Sequence, residues 1–276
     1  MILQSRDIAD YPEGIVLPID KPWCWTSADV IRKVKRAAIR YFGKRNLKVG
    51  HAGTLDPLAT GLLLVCIGPA CKRAQELQDS RKEYIAGVTL GAVTASYDLE
   101  KDLESYSHSG RSPEGVDPAS PTEAAIRNLL PTMIGPQMQV APLFSAKSVD
   151  GVRAYETARR LYREGRLDEG SDILHASPIE IYGLELLDYG LRPFPAPPEQ
   201  SRIHVADARG CGLPTATIRV SCSKGTYIRA LARDIGEALG VGGFLSSLRR
   251  TYCGGYTISD ALTLDEVLAS FNHESI

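Results

Sequence analysis

No C-x-x-C pair occurs among the six cysteines, at 24, 66, 71, 211, 222 and 253, and the five histidines are scattered. That spacing gives no zinc-type ligand set and reads as reduced, buried thiols of a cytosolic protein. A charge excess of one sign is missing as well. The 32 basic and 33 acidic residues leave a net of −1, which excludes a protein that is basic over its whole surface. The opening MILQSRDIADYPEG lacks the charged-then-apolar order of a signal peptide. The longest strongly apolar run, Leu62 to Ile67, is far short of a bilayer span, so no membrane association is expected. No glycine-rich loop ends in Gly-Lys-Ser/Thr, so nucleotide hydrolysis lacks its phosphate cradle. There is no internal repeat.

What is present is ordinary globular material: 276 residues, 43% hydrophobic and 24% charged. Such a chain buries a core without disulfide or metal staples. The charge is uneven. Asp20 to Gly50 holds nine Lys/Arg against two acids, and Asp98 to Glu123 holds seven acids against two bases. The basic pole reads either as a polyanion contact or as a solvated helix face. Thr26-Ser27-Ala28-Asp29 fits a capping box that opens a helix. Val30, Val34, Ala37, Ala38 and Tyr41 then recur at helical spacing, and Arg32, Arg36 and Arg40 form one stripe. Like charges four residues apart repel, and a bound anion would relieve that cost.

Alternating apolar residues predict strands at Tyr84–Val93, Glu180–Leu187 and Ala216–Cys222. The run Leu62–Ile67, bounded by Gly61 and Gly68, predicts a strand buried on both faces. Further helices are expected at Thr122–Leu130, Tyr155–Glu164, Tyr227–Leu239 and Leu264–Phe271, the third with Ile228, Leu231, Ile235 and Leu239 as its core stripe. Ser105–Pro121 and Gly190–Ser201 read as exposed loops. Strands and helices interleave without a steady βαβ rhythm, which indicates an α+β class with a mixed sheet.

Three segments carry chemistry. Gly50-His51-Ala52-Gly53-Thr54-Leu55-Asp56-Pro57-Leu58-Ala59-Thr60-Gly61 holds one carboxylate, Asp56, on a constrained loop before the buried strand. Alone, an Asp-Pro in a turn is more often structural. Ser221–Arg229 reads as strand, tight turn and helix start, with Thr226 as N-cap and Lys224 and Arg229 near an anion site or in solvent. In Arg81–Gly91, Tyr84 follows basic residues at a strand start and either stacks on a base or fills the core.

Together these segments resemble the TruB family of bacterial tRNA pseudouridine synthases, which act on the T-loop uridine at tRNA position 55. The likeness runs from Ile19-Asp20-Lys21-Pro22 through Gly50–Gly61, Tyr84 with Leu90-Gly91, Gln139–Arg159 and Ser221–Arg229 to Leu248-Arg249-Arg250-Thr251. It implies a pseudouridine synthase fold, with a mainly antiparallel central sheet flanked by helices, as a single catalytic domain over 1–276. It implies Asp56 as the essential aspartate and Tyr84 as the tyrosine stacking on the target base. Tyr227 and Arg229 match residues lining the pocket, with the arginine facing the aspartate, and Leu248 matches an apolar wall beside the base. His51 matches a histidine that holds the T-loop open, Lys21 a surface near RNA, and Asp98 a contact to a neighbouring nucleotide. Arg32, Arg36 and Arg40 match surfaces for RNA phosphates. The sequence departs from the family pattern at Ala95, where an aspartate is usual, and at Ser148, where the family lysine falls; Lys147 is assigned no role. The loops near 105–121 and 190–201 look like insertions, and the 26 residues after Arg250 are too few for a full PUA-type module.

The implied reaction moves the ribose bond of a uridine from N1 to C5. It is an isomerisation, so no cofactor or metal is expected. The target base must leave its stack, and stacking on Tyr84 returns about 1–3 kcal/mol of that cost. A guanidinium near Asp56 would favour the ionised carboxylate. The partner is then a tRNA T-arm stem-loop and the enzyme a cytoplasmic monomer. Two other readings stay open: a non-catalytic tRNA-binding or folding protein on the same scaffold, and a synthase for another RNA.

Overall fold

The computed structural model describes residues 3–105, 121–145, 147–149, 152–167 and 174–272. Most of the expected loop 105–121 thus lies outside the described residues. The chain forms two compact units, residues 1–84 with 248–276, and residues 85–247. The first unit runs β1 (Ile15–Lys21), α1 (Ser27–Phe42), β2 (Val49–Ala52), β3 (Ala59–Ile67), α2 (Ala74–Asp79) and the start of β4 (Lys82–Leu90). The second holds the rest of β4, β5 (Ala92–Thr94), β6 (Leu103–Ser105), α3 (Glu123–Leu129), β7 (Gly135–Gln139), β8 (Ser148–Val149) and β9 (Val152–Arg153). It continues with α4 (Ala154–Arg163), β10 (Ser177–Leu191), β11 (Pro214–Cys222), α5 (Ile228–Ala238) and the first half of β12 (Gly243–Cys253). The first unit resumes in β12 and adds β13 (Tyr256–Thr257), β14 (Leu262–Thr263) and α6 (Leu264–Ser270).

In the first unit the strand order is β14-β1-β3-β12, with β2 on β3 and β13 on β12. β1 with β14 and β3 with β12 are parallel; the other pairs are antiparallel. In the second unit β11, β10 and β7 pair antiparallel in that order, as do the small β5/β6 and β8/β9 ribbons. The class is α+β with mixed, mainly antiparallel pairing, as the sequence indicates.

The apolar run of β3 has a direct cause. β1 pairs with it on one side, while β12 and then β2 pair with it on the other, so it has no solvent edge. Leu62 to Ile67 are all fully buried. Leu62, Leu64 and Cys66 pack with Ala52, Leu77 and Cys253, each large side chain contributing roughly 1.5–3 kcal/mol. In the same unit, Tyr41 and Phe42 at the end of α1 meet Phe271 edge-on.

Both expected helix stripes are buried. α1 inserts Val30, Val34 and Ala38, and α5 inserts Ile228, Leu231 and Ile235, with Leu239 buried at its C-cap. The expected capping box is present, with Thr26 Oγ1 accepting from Asp29 N at 3.0 Å and Asp29 Oδ2 from Thr26 N at 3.2 Å. Thr226 is not the cap of α5. The cap position is Tyr227, and the Thr226 hydroxyl donates back to Ser223 O at 3.1 Å. Inside α5, Gly236 is there for close approach: a Cβ would overlap the backbone of Gly242 and Gly243.

Candidate active site

The glycine-rich segment is a hairpin. β2 and β3 pair antiparallel, Val49 opposite Ile67 through Ala52 opposite Leu64, and Asp56 sits in the loop that joins them. The sequence placed Asp56 before a buried strand but gave no hint of β2, whose four residues, one of them glycine, are too few to read as a strand. Gly61 closes the motif at φ +94, and a Cβ there would strike the Arg250 carbonyl across the β3/β12 pairing. Only glycine satisfies both conditions.

Three side chains from outside the loop hold its backbone. Arg250, buried, donates from Nη2 to Gly53 O at 3.0 Å and from Nε to Leu62 O at 2.7 Å. Ser27, the first residue of α1 and 3% exposed, binds both backbone groups of Leu55. Its hydroxyl accepts from Leu55 N at 2.9 Å and donates to Leu55 O at 3.1 Å. Lys21 donates to Pro57 O at 3.2 Å, and also to Pro22 O at 2.9 Å and Trp25 O at 2.6 Å. Asp56 therefore stands between two residues whose backbones are fixed, and its own carbonyl accepts from Ala59 N at 3.1 Å.

Lys21 requires a correction. The resemblance implied a surface near RNA, but its side chain is 0% exposed and its ammonium binds three backbone carbonyls. Burial pushes its pKa down to about 8, against the pull of the Asp56 charge, which favours the ammonium. It acts on the loop through the Pro57 carbonyl.

His51 lies on β2 opposite Val65, and its buried Nδ1 has no hydrogen-bond partner. Burial, helped by the Arg250 charge, lowers its pKa below the usual histidine value, so the ring is neutral near pH 7. Tyr84 on β4 and Leu248 on β12 are each 8% exposed, and Leu248 is in register with Ala59. Arg32, Arg36 and Arg40 are all exposed along α1. Arg32 pairs with Asp29 at 2.8 Å and Arg40 donates to Asn272 Oδ1 at 2.6 Å.

The second unit holds Asp98, Tyr227 and Arg229. Asp98, read as a nucleotide contact, is instead buried against Arg229, Oδ2 to Nε at 3.5 Å. Its Oδ1 accepts from Ser96 Oγ at 2.6 Å and Glu100 N at 3.0 Å. The Arg229 guanidinium also donates to Ser96 O at 3.2 Å and Phe144 O at 3.1 Å. Tyr227 is clamped as Leu55 is. The buried Gln139 amide accepts from Tyr227 N at 2.9 Å and donates to Tyr227 O at 3.2 Å. Leu143 and Tyr227 pack against one small cluster around Ala141. Lys147, given no role above, ties down His175 O and Ser177 Oγ at 2.8 Å each.

Ser27, Gln139 and Arg250 were missed as site residues. Their partners lie 28, 88 and up to 197 residues away, so no local pattern marks them.

Comparison with known proteins decides the family. The model of the TruB family pseudouridylate synthase N-terminal domain matches residues 40–228, and that of the tRNA pseudouridylate synthase B C-terminal domain matches 229–275. The chain belongs to the TruB family of pseudouridylate synthases. A TruB relative from Phocaeicola vulgatus, described as tRNA pseudouridine synthase B, is 42% identical over 93% of this chain and 92% of its own. Another of that description, from Chlorobaculum tepidum, is 38% identical over 97% of this chain and 95% of its own. Among solved structures, a chain of a Cbf5-Nop10-Gar1 complex aligns with this TruB chain at TM-score 0.59 and 25% identity. That alignment covers 95% of this chain and 56% of the other, so the present chain spans little more than half of that protein's length.

Proposed function

We propose that this enzyme converts the T-loop uridine at tRNA position 55 to pseudouridine. The nucleotide flips out of the RNA and Asp56 drives the exchange of glycosidic bonds. The N1–C1′ bond breaks and the C5–C1′ bond forms. The C5 proton leaves to solvent and N1 takes a proton, so nothing is oxidised and no group is imported. In this reading Tyr84 stacks on the base, Leu248 packs beside it, His51 fills the gap left in the loop, and Tyr227 and Arg229 keep the roles the resemblance implies.

The observation that carries the reading is the held Asp56 loop in a chain of this family. A carboxylate whose two neighbours are pinned, by Ser27 at Leu55 and Lys21 at Pro57, is preorganised for a fixed target. The curated relatives named for tRNA supply the substrate class.

The test is release of tritium from uridine labelled at C5. T-arm stem-loops should release it and unrelated RNAs should not. Asp56→Asn should abolish release while leaving T-arm binding intact. Binding without release by the parent enzyme would favour an RNA-folding role, and release from other RNAs would change the target.

A further inference from the structure

We infer that Ser27 is a positioning residue for the isomerisation, aiming Asp56 through the two hydrogen bonds it makes to the Leu55 backbone. The inference rests on the function proposed above. A serine at the first position of a helix ordinarily serves the helix end, but that work is already done here. Thr26 and Asp29 form the reciprocal cap, and the Ser27 hydroxyl turns away from its own helix to a residue 28 positions on.

A hydroxyl has one hydrogen to donate and lone pairs to accept with. Ser27 spends its hydrogen on Leu55 O and a lone pair on Leu55 N–H. One such bond would leave the loop a pivot. Two to the same residue fix both its distance from α1 and its rotation. The Leu55 side chain, 3% exposed, anchors the same point. Since Lys21 holds the carbonyl of Pro57, the backbone is pinned on both sides of Asp56. Removing the hydroxyl returns that pivot, and a displacement of about 1 Å at a reacting group costs on the order of 100-fold in rate.

The experiment compares Ser27→Ala with Val34→Ala, which weakens the same helix at a fully buried position about two turns along α1 from Ser27. Melting temperature, T-arm affinity by filter binding, and the single-turnover rate of tritium release at saturating RNA are measured for each. Ser27→Ala should lose about 10- to 100-fold in rate with T-arm affinity unchanged. Val34→Ala should lose melting temperature but keep the parent rate. A parent-like rate in Ser27→Ala, or rate losses in both variants that follow melting temperature, would overturn the inference. If Ser27→Ala does not fold, Ser27→Cys replaces it, keeping side-chain size with a weaker donor and acceptor; a slowed rate supports the inference and a parent rate overturns it. Absence of release by the parent on any RNA would overturn the proposed function, and this inference with it, before any variant is compared.

Discussion

The Asp98 carboxylate and the Arg229 guanidinium face each other at 3.5 Å with their side chains 4% and 5% exposed. A pair so buried is a constraint more than a source of stability, because desolvating two charges offsets most of their attraction. Breaking it is another matter. Asp98→Ala takes the Asp98 carboxylate away from a buried guanidinium that also donates to the carbonyls of Ser96 and Phe144. The expected cost is about 3–5 kcal/mol, seen as a lower urea midpoint. A variant with an unchanged midpoint and weakened RNA binding would instead restore Asp98 to the RNA surface.

Lys21 predicts a pH dependence of stability. Its pKa is lowered by burial from the ordinary 10.5 to about 8. Below about pH 8 both folded and unfolded chains hold the proton, and the full cost of burying the charge is present. Between about 8 and 10.5 the folded chain releases it while the unfolded chain keeps it. The unfolded state then binds more protons, so unfolding free energy from this group rises with pH, by up to about 3 kcal/mol. Lys21→Met has no proton to exchange in either state. The stability of the parent relative to Lys21→Met should therefore increase between about pH 7 and pH 10 in urea titrations. A constant difference would return Lys21 to an ordinary pKa.

The elements legible in the sequence are those with a local cause. The α1 capping box, the α5 stripe and the β3 run each follow from neighbours a few residues apart, and each is found where the pattern puts it. β10 shows the limit: Glu180–Leu187 alternates, but the strand runs Ser177–Leu191, with register shifts that break the alternation. Asp56 was legible because glycines and a proline crowd around it. What holds Asp56 was not. The hydroxyl of Ser27 and the ammonium of Lys21 act across 28 and 36 residues, and a lysine in a basic segment reads as surface until its burial is seen. The nucleotide contact given to Asp98 came from the family resemblance alone, and nothing in the local sequence marks its pairing with Arg229.

The arginine stripe of α1 gives the last prediction. Arg32, Arg36 and Arg40 are all exposed, yet they are not equivalent. Arg32 already pairs with Asp29 and Arg40 with Asn272, whereas Arg36 has no carboxylate within ion-pair distance among the described residues. A phosphate contact made by Arg36 gives up no ion pair or side-chain hydrogen bond to a described residue, while one made by Arg32 or Arg40 must displace a partner. Each phosphate neutralised adds just under about one to the slope of log affinity against log salt. Arg36→Gln should therefore flatten that slope for T-arm binding by about 0.7–0.9, with smaller changes in Arg32→Gln and Arg40→Gln. Equal and negligible changes in all three would make the stripe a solvated face, with its mutual repulsion borne by the fold rather than relieved by RNA.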